Sequence, residues 1–145
     1  MSVLVNRSPI KEFVPTRGLR QGDPMAPFLF LIVAEGLARL VRQAVKKNLY
    51  DGIKVGSNGT KVGLLQFGDD TLFLCETKVQ NALILKAVLR CFELVSGLRV
   101  NFSKTKVWGL GLDASMINEF SNTLNCKHMK IPFTYLGMPI GGTQD

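Results

Sequence analysis

The chain has 145 residues, enough for one domain with a hydrophobic core, and its 46% hydrophobic content argues against a disordered chain. Eighteen Lys and Arg residues against eleven Asp and Glu residues leave a formal charge of +7. This excess favours a polyanionic partner such as nucleic acid, although an anionic membrane surface also fits it.

The N-terminal segment and the cysteines predict an intracellular protein that is not secreted. Residues 1–10 lack the apolar stretch of a secretory signal. The longest apolar run, residues 28–34, is too short to cross a bilayer, so we expect no membrane partner. The odd number of cysteines is typical of reduced thiols, and these are Cys75, Cys91 and Cys126.

The first elements in chain order are a hairpin and a glycine-rich loop. Apolar residues at 3–5 and 13–14 flank a polar stretch, which predicts paired strands. A basic loop with two glycines follows at residues 17–24. Asp23 followed by Pro24 is typical of a helix start, with an N-cap residue and then proline at the first helical position.

The next segment predicts a long amphipathic helix from Ala26 to about Lys47. Apolar residues recur there at helical spacing and form one face that we expect in the core. That face consists of Phe30, Ala34, Leu37, Val41 and Val45.

Two consecutive hairpins are predicted in the middle of the chain. The Asn58-Gly59 turn joins apolar segments at residues 53–55 and 62–67. Short apolar runs at 64–67 and 71–75 then predict two buried strands. Gly68, Asp69 and Asp70 lie between these runs and are turn formers, so we expect the two carboxylates at a hairpin tip.

The adjacent carboxylates Asp69 and Asp70 are the strongest chemical feature of the sequence. Two buried like charges repel each other, and a divalent cation at a cleft removes that cost. Hard oxygen ligands of this kind suit Mg²⁺, which commonly binds substrate phosphates. The alternative is that both are solvated turn residues.

A second helix is predicted to begin at residues 77–80, which have the spacing of a capping box. Gly97 is expected to end it. Its predicted buried face contains Ala82, Leu85, Leu89 and Phe92.

The last third of the chain alternates strands with a third helix. Residues 98–101 and 106–110 have strand-like composition, Asp113 can cap a helix, and residues 133–136 predict a short strand. This mixed order indicates an α+β fold in which helices pack on an antiparallel sheet.

Four sequence blocks in a fixed order carry a family resemblance that covers essentially the whole chain. They are Gly-Leu-Arg-Gln-Gly-Asp-Pro at 18–24 with Pro-Phe-Leu-Phe at 27–30, Phe-Gly-Asp-Asp-Thr at 67–71, Ser-Gly-Leu-Arg-Val-Asn-Phe-Ser-Lys at 96–104 and Phe-Thr-Tyr-Leu-Gly-Met-Pro-Ile-Gly at 133–141. In this order they resemble the reverse transcriptase of non-LTR (LINE-type) retrotransposons, most closely that of plant elements.

The resemblance implies a fold and an activity. The fold would be a partial palm of a right-hand polymerase, with residues 1–145 as one domain and the thumb-proximal region starting at about 130–145. The activity would be RNA-directed DNA polymerisation, in which two Mg²⁺ ions (or Mn²⁺) roughly 4 Å apart assist nucleotidyl transfer to a primer 3′-OH. The implied partners are an RNA template, a DNA primer and deoxynucleoside triphosphates, in the nucleus or a ribonucleoprotein.

The resemblance also assigns roles to three groups of residues. Asp69 would be the main metal ligand, Asp70 a supporting carboxylate, and Lys104 a catalytic residue near the departing pyrophosphate. The proposed nucleotide- and template-binding residues are Gly18, Arg20, Gln21 and Gly22, and the proposed primer-binding residues are Tyr135, Leu136 and Gly137. The alternative for Lys104 is a solvated loop lysine. For the glycine-rich loop it is a simple helix start, and for the turn at residues 135–137 it is an ordinary strand turn.

Three departures from the family pattern bear on activity. Gly68 replaces the usual alanine, at a cost of roughly 0.5–1 kcal/mol if the site is strand-like. Met25-Ala26 stands where the family often has Leu-Ser. Residues 1–17 contain one acid, Glu12, in the wrong context for the upstream catalytic aspartate.

We therefore expect little or no polymerase activity from the isolated 145 residues. The missing palm strand and fingers would come from another chain or be lost. The first alternative is a non-catalytic basic remnant that binds RNA or DNA. The second is a small structural domain in which the aspartate pair is incidental.

Overall fold

The computed structural model describes residues 4–9, 11 and 18–141. Its helices are α1 (Ala26–Lys46), α2 (Val79–Ser96) and α3 (Ala114–Leu124). The strands are β1 (Leu4–Val5), β2 (Ser8–Pro9), β3 (Ile53–Val55), β4 (Thr60–Val62), β5 (Leu64–Phe67), β6 (Asp70–Phe73), β7 (Lys106–Val107), β8 (Lys127–His128), β9 (Phe133–Tyr135) and β10 (Met138–Ile140). The chain divides into two compact units, Met1–Ala34 and Glu35–Asp145, with the boundary inside α1.

The strands pair in twos, and the described residues contain no larger sheet. Four ladders are antiparallel, namely β1–β2, β3–β4, β5–β6 and β9–β10, whereas β7–β8 is parallel. The predicted mixture of helices and antiparallel strands is confirmed. The expected single sheet is replaced by separate ladders of strands two to four residues long.

Gly63 interrupts the long strand that was expected at residues 62–67. It is buried, and a Cβ there would lie 3.1–3.2 Å from side-chain atoms of Tyr50, Val45 and Val41. Only a glycine fits at so close an approach without displacing these neighbours. The chain therefore passes close to α1 at Gly63, and the expected strand is divided there into β4 and β5.

The buried core lies within the unit Glu35–Asp145. It contains Leu37, Val41 and Ala44 of α1, Tyr50 from the segment after α1, Ala82, Leu85 and Leu89 of α2, and Leu124 of α3. The predicted core face of α1 is confirmed at Leu37 and Val41. It is wrong at Phe30, which is 41% exposed.

The helix starts follow the predictions only in part. Helix α1 begins at Ala26, two residues after Pro24. The Asp23 carboxylate accepts a hydrogen bond from Met25 N (2.8 Å), so it caps a preceding turn. At α3 the prediction is confirmed, because Asp113 Oδ1 accepts from Met116 N (2.9 Å), and this bond lowers the pKa of the Asp113 carboxyl.

The capping box predicted for α2 is wrong. The N-cap residue is Lys78, and no side chain caps the helix there. Asn81 instead ties the start of α2 to the preceding chain, because its side chain accepts from Asp51 N and donates to Glu76 O, each at 2.8 Å. Gly97 ends the helix as predicted, with a left-handed φ of 72°.

Ion pairs reinforce the same junction. Lys78 Nζ lies 2.7 Å from Asp51 Oδ2 and 3.0 Å from Glu76 Oε2, and Lys61 Nζ lies 3.6 Å from Asp51 Oδ1. The hydrogen bond from Lys78 is the main cause that lowers the pKa of Asp51.

One predicted strand is absent, and another pairs with a segment that was not expected. β1 pairs with Ser8–Pro9, and the residues expected as its partner, 13–14, lie outside the described part of the chain. Residues 98–101 form no strand. The Val100 N–H donates to Glu93 Oε1 (2.7 Å) and lowers the pKa of that carboxyl, so a neighbouring strand cannot use this donor.

Two further findings concern the membrane and the thiols. None of the helices in the described residues combines the length and the apolar character that crossing a membrane requires. Cys75, Cys91 and Cys126 are free, and burial raises the pKa of Cys75 and Cys126.

Replacing Asn81 with alanine should destabilise the protein by about 1–3 kcal/mol, because the buried amide is lost, the Asp51 N–H loses its acceptor and the Glu76 carbonyl loses one of its two donors. Urea unfolding followed by circular dichroism measures the change. Asn118→Ala, on the exposed side of α3, is the matched control and should change stability far less. Equal effects of the two substitutions would contradict the role given to Asn81.

Candidate active site

The two adjacent aspartates lie at the tip of the β5–β6 hairpin. Phe67 pairs with Asp70, which leaves Gly68 and Asp69 as a two-residue turn. Both aspartates are exposed. The predicted position of the pair, at a turn between two apolar strands, is confirmed.

The turn geometry explains the glycine before the aspartates. Gly68 has a φ of +57°, whereas Asp69 is not among the residues with positive φ. A positive φ at the first central residue alone is the pattern of a type II′ turn, which favours glycine there. The expected cost of Gly68 in a strand is therefore wrong, because the residue occupies a turn conformation that alanine resists.

The two faces of the hairpin have different surroundings. Leu64 and Phe73 face each other across the ladder and pack against the helical core. On the opposite face, Leu65 is 46% exposed and Phe67 is 67% exposed, and Asp70 shares this face through its pairing with Phe67. The prediction that both strands are buried is therefore wrong for the outer face.

The tip supplies donors of the type that magnesium binds. Carboxylate oxygens are hard ligands, and neither Asp69 nor Asp70 forms an ion pair within the described residues. The donor chemistry thus fits a divalent cation. Within residues 4–9, 11 and 18–141, however, no three Asp, Glu, His or Cys side chains form a group that could enclose a metal.

The glycine-rich loop forms a tight turn before α1, in the unit Met1–Ala34. Asp23 N donates to Arg20 O (3.0 Å), and Gly22, the third residue of this turn, has a φ of +84°. This is the glycine position of a type II turn. The turn presents Arg20 and Gln21 as exposed side chains, and a Cβ on Gly18 or Gly22 would meet no atom within 4 Å.

Lys104 is exposed in a turn closed by Asn101. Asn101 Oδ1 accepts from Ser103 Oγ (2.6 Å) and Lys104 N (3.3 Å), and Asn101 O accepts from Thr105 Oγ1 (3.0 Å). No ion pair joins Lys104 to Asp69 or Asp70. The backbone at Lys104 is thus held in place, and its ammonium group forms no ion pair within the described residues.

The segment Tyr135-Leu136-Gly137 forms the turn of the β9–β10 hairpin. Tyr135 pairs with Met138, and Leu136 and Gly137 have φ values of 51° and 79°. A positive φ at both central residues is the type I′ pattern, which is unfavourable for leucine. Leu136 is exposed, and backbone strain of this kind is common at ligand sites. The positive φ of this leucine is thus compatible with the predicted role of the turn.

The match to a protein family covers nearly all of the chain. The family described as reverse transcriptase (RNA-dependent DNA polymerase) matches residues 2–140. The chain therefore belongs to the reverse transcriptase family.

Individual relatives place the chain within that family. An uncharacterized mitochondrial protein of Arabidopsis thaliana is 41% identical over 68 residues, which cover 47% of this chain and 56% of that protein. The Pol polyprotein of a type-2 R2 retrotransposable element of Drosophila melanogaster is 34% identical over 100 residues (69% and 9%). That of a type-1 R2 element of Nasonia vitripennis is 38% identical over 64 residues (44% and 6%).

These findings confirm the resemblance, and the chain is a reverse transcriptase domain of the non-LTR retrotransposon type. It spans about half of the plant relative and less than a tenth of the two Pol polyproteins.

Two groups of exposed residues were not predicted from the sequence. One is the outer hairpin face with Phe67, and the other is the pair of lysines at Lys106 and Lys127, which the β7–β8 ladder brings side by side. Alternation of Lys106 with the apolar Val107 was a signal for an outward lysine. No local pattern reveals that Lys127 is its neighbour, because their pairing spans the whole of α3.

Gly68→Ala should destabilise the protein by about 1–2 kcal/mol, since alanine resists the positive φ of the turn. Gly36→Ala is the matched control: Gly36 lies inside α1 with open space at its Cβ, so alanine should stabilise the helix by roughly 0.5–1 kcal/mol. Urea unfolding measures both. A stabilising Gly68→Ala would show that the residue is not in the turn conformation described.

Proposed function

We propose that this chain is the part of a reverse transcriptase palm that contributes two carboxylates to templated nucleotidyl transfer. The observation that carries the proposal is the exposed Asp69-Asp70 pair on a tight turn, at the tip of a hairpin anchored by its inner face. A rigid base with an exposed acidic tip suits residues that must meet a metal and a nucleotide together.

The proposed roles of the carboxylates follow from their chemistry. Bound Mg²⁺ or Mn²⁺ would lower the pKa of the primer 3′-OH and offset charge on the transferred phosphate. Asp69 would hold the ion as the main ligand, and Asp70 would support it. Both carboxylates are exposed and form no ion pair with the part of the chain that the structure describes, so binding would break no ion pair there.

The remaining site residues would position substrates. Arg20 carries a planar guanidinium suited to a phosphate, Gln21 can hydrogen-bond a nucleotide, and the open space beside Gly18 and Gly22 admits a close approach. Lys104 would neutralise the departing pyrophosphate.

The turn at Tyr135, Leu136 and Gly137 would support the primer end. Its exposed leucine and backbone offer apolar and hydrogen-bonding contact.

The isolated 145 residues are proposed to be inactive. A two-metal centre uses more carboxylate ligands than one aspartate pair supplies, and the described residues bring no third acid, histidine or cysteine to a common group. The missing ligand and the fingers would belong to a longer polypeptide or another chain.

We also propose an intracellular site of action, with an RNA template, a DNA primer and deoxynucleoside triphosphates as the partners.

The metal role can be tested without catalysis. Addition of Mn²⁺ to ¹⁵N-labelled protein should broaden the backbone amide signals of residues 68–71 before others, because a paramagnetic ion acts over short distances. Asp69→Asn with Asp70→Asn should abolish this local broadening. Asp113→Asn removes a carboxylate at another exposed site and should leave it intact. Broadening centred elsewhere, or unchanged in the double variant, would remove the basis for a metal site at the tip.

Primer extension tests the proposed inactivity. The purified chain, given a primed RNA template, deoxynucleotides and Mg²⁺, should extend the primer no more than Asp69→Asn does. Robust extension that Asp69→Asn abolishes would overturn the inactivity proposal and show a complete site, formed for example through self-association.

A second candidate is a non-catalytic domain that binds RNA or DNA, which the formal charge of +7 favours. It predicts binding that weakens with salt and that Asp69→Asn leaves unchanged. Binding that is independent of salt would count against both candidates.

A further inference from the structure

The β7–β8 ladder brings two lysines side by side on the protein surface. Lys106 pairs with Lys127 and Val107 pairs with His128 in a parallel register. Neighbouring strands lie roughly 4.8 Å apart, so the two lysine side chains leave the backbone at nearly the same point. Like charges placed opposite each other in a ladder are unfavourable on their own, which makes an anionic ligand a natural complement.

The packing of the ladder directs both lysines outward. Val107 and Cys126 pack against the hydrophobic core, whereas their neighbours Lys106 and Lys127 are exposed. Side chains alternate between the two faces of a strand, so the core contact of Val107 places Lys106 on the solvent face. Met129 N donates to Val107 O (2.7 Å), which extends the ladder past its paired residues and fixes the register.

No acid neutralises this surface within the described residues. Lys104, Lys106, Lys127 and Lys130 all lie in or beside the ladder, are exposed, and form no ion pair. Asp113, the acid at the start of α3, is engaged in capping that helix. The ladder therefore concentrates positive charge that the described part of the protein leaves uncompensated.

A groove of about 290 Å³ lies beside the ladder and adds neutral hydrogen-bonding groups. Its lining includes Phe102, Asn122, Asn125 and Lys127. Asparagine side chains, together with lysine, are common partners of phosphate and sugar oxygens in nucleic-acid complexes.

We infer that Lys106 and Lys127, with the adjoining groove, bind the sugar–phosphate backbone of a nucleic acid. Two lysines and neutral donors without a base-reading element give contact that is independent of sequence. The choice of a nucleic acid as ligand rests on the proposed function. The surface itself requires neither the metal nor the aspartates.

The test measures how binding of a labelled RNA–DNA hybrid depends on salt. For Lys106→Ala with Lys127→Ala, the slope of log K against log salt should fall by about two, with an affinity loss of about tenfold or more at low salt. Lys46→Ala with Lys47→Ala removes the same charge from the end of α1, outside the groove, and is the matched control. Thermal unfolding checks that both variants fold.

Each outcome decides the inference. A large loss in the ladder variant and a small loss in the control supports it, whereas equal losses would show diffuse attraction by net charge and overturn it. Mn²⁺ should still broaden the amide signals of residues 68–71 in the ladder variant, so failure of the metal site and failure of this surface are distinguishable. Binding to phosphatidylserine vesicles that depends on the two lysines, without binding to the hybrid, would assign the surface to a membrane and overturn the inference.

Discussion

The packing of the inner hairpin face against the helical core is the constraint on which the candidate site depends. Leu64 and Phe73 make that contact, and Gly63, just before β5, allows the chain to pass within van der Waals distance of Val41, Val45 and Tyr50. Leu74 N donates to Gly63 O (3.0 Å), which closes the base of the hairpin. With its base held in this way, the tip can carry two exposed acids that make no stabilising contact of their own.

The chain that leaves the hairpin is held just as firmly. Asn81 is almost fully buried and satisfies a backbone donor and a backbone acceptor on the preceding segment. The ammonium group of Lys78 bridges two carboxylates at the edge of the same junction. Exposed ion pairs contribute little by themselves, so the buried amide is the stronger of the two devices.

Local chemistry was sufficient to predict the turns and most helix ends. The aspartate tip, the Gly97 stop and the Asp113 cap each depend on residues adjacent in sequence, and all three are present. The failures involve partners distant in sequence. No capping box forms at Thr77, because Asn81 ties the start of α2 to Asp51 instead. No strand forms at residues 98–101, where the Val100 N–H donates to Glu93.

Burial was predicted less well than secondary structure. Helical periodicity identifies one apolar face of α1, but it cannot show that Leu37 is buried while Phe30 remains exposed. The same limit applies to the hairpin, where both strand faces are apolar and only the fold selects the face with Leu64 as the inner one. The turn at residues 68–70 was predicted, but not that Gly68 takes its positive φ, and the cost of a glycine changes sign between a strand and a turn.

The distribution of charge links the two proposals. Asp51 and Glu93 are neutralised by lysine or arginine side chains, and Asp51 also supports a structural junction. By contrast, the acids at the hairpin tip and the lysines of the β7–β8 ladder have no ion-pair partners among the described residues. A protein that combines phosphate esters with metal ions needs both signs of charge at once, kept from neutralising each other. Unpaired acids suit a cation, unpaired lysines suit a phosphate backbone, and a templated polymerase domain would use both.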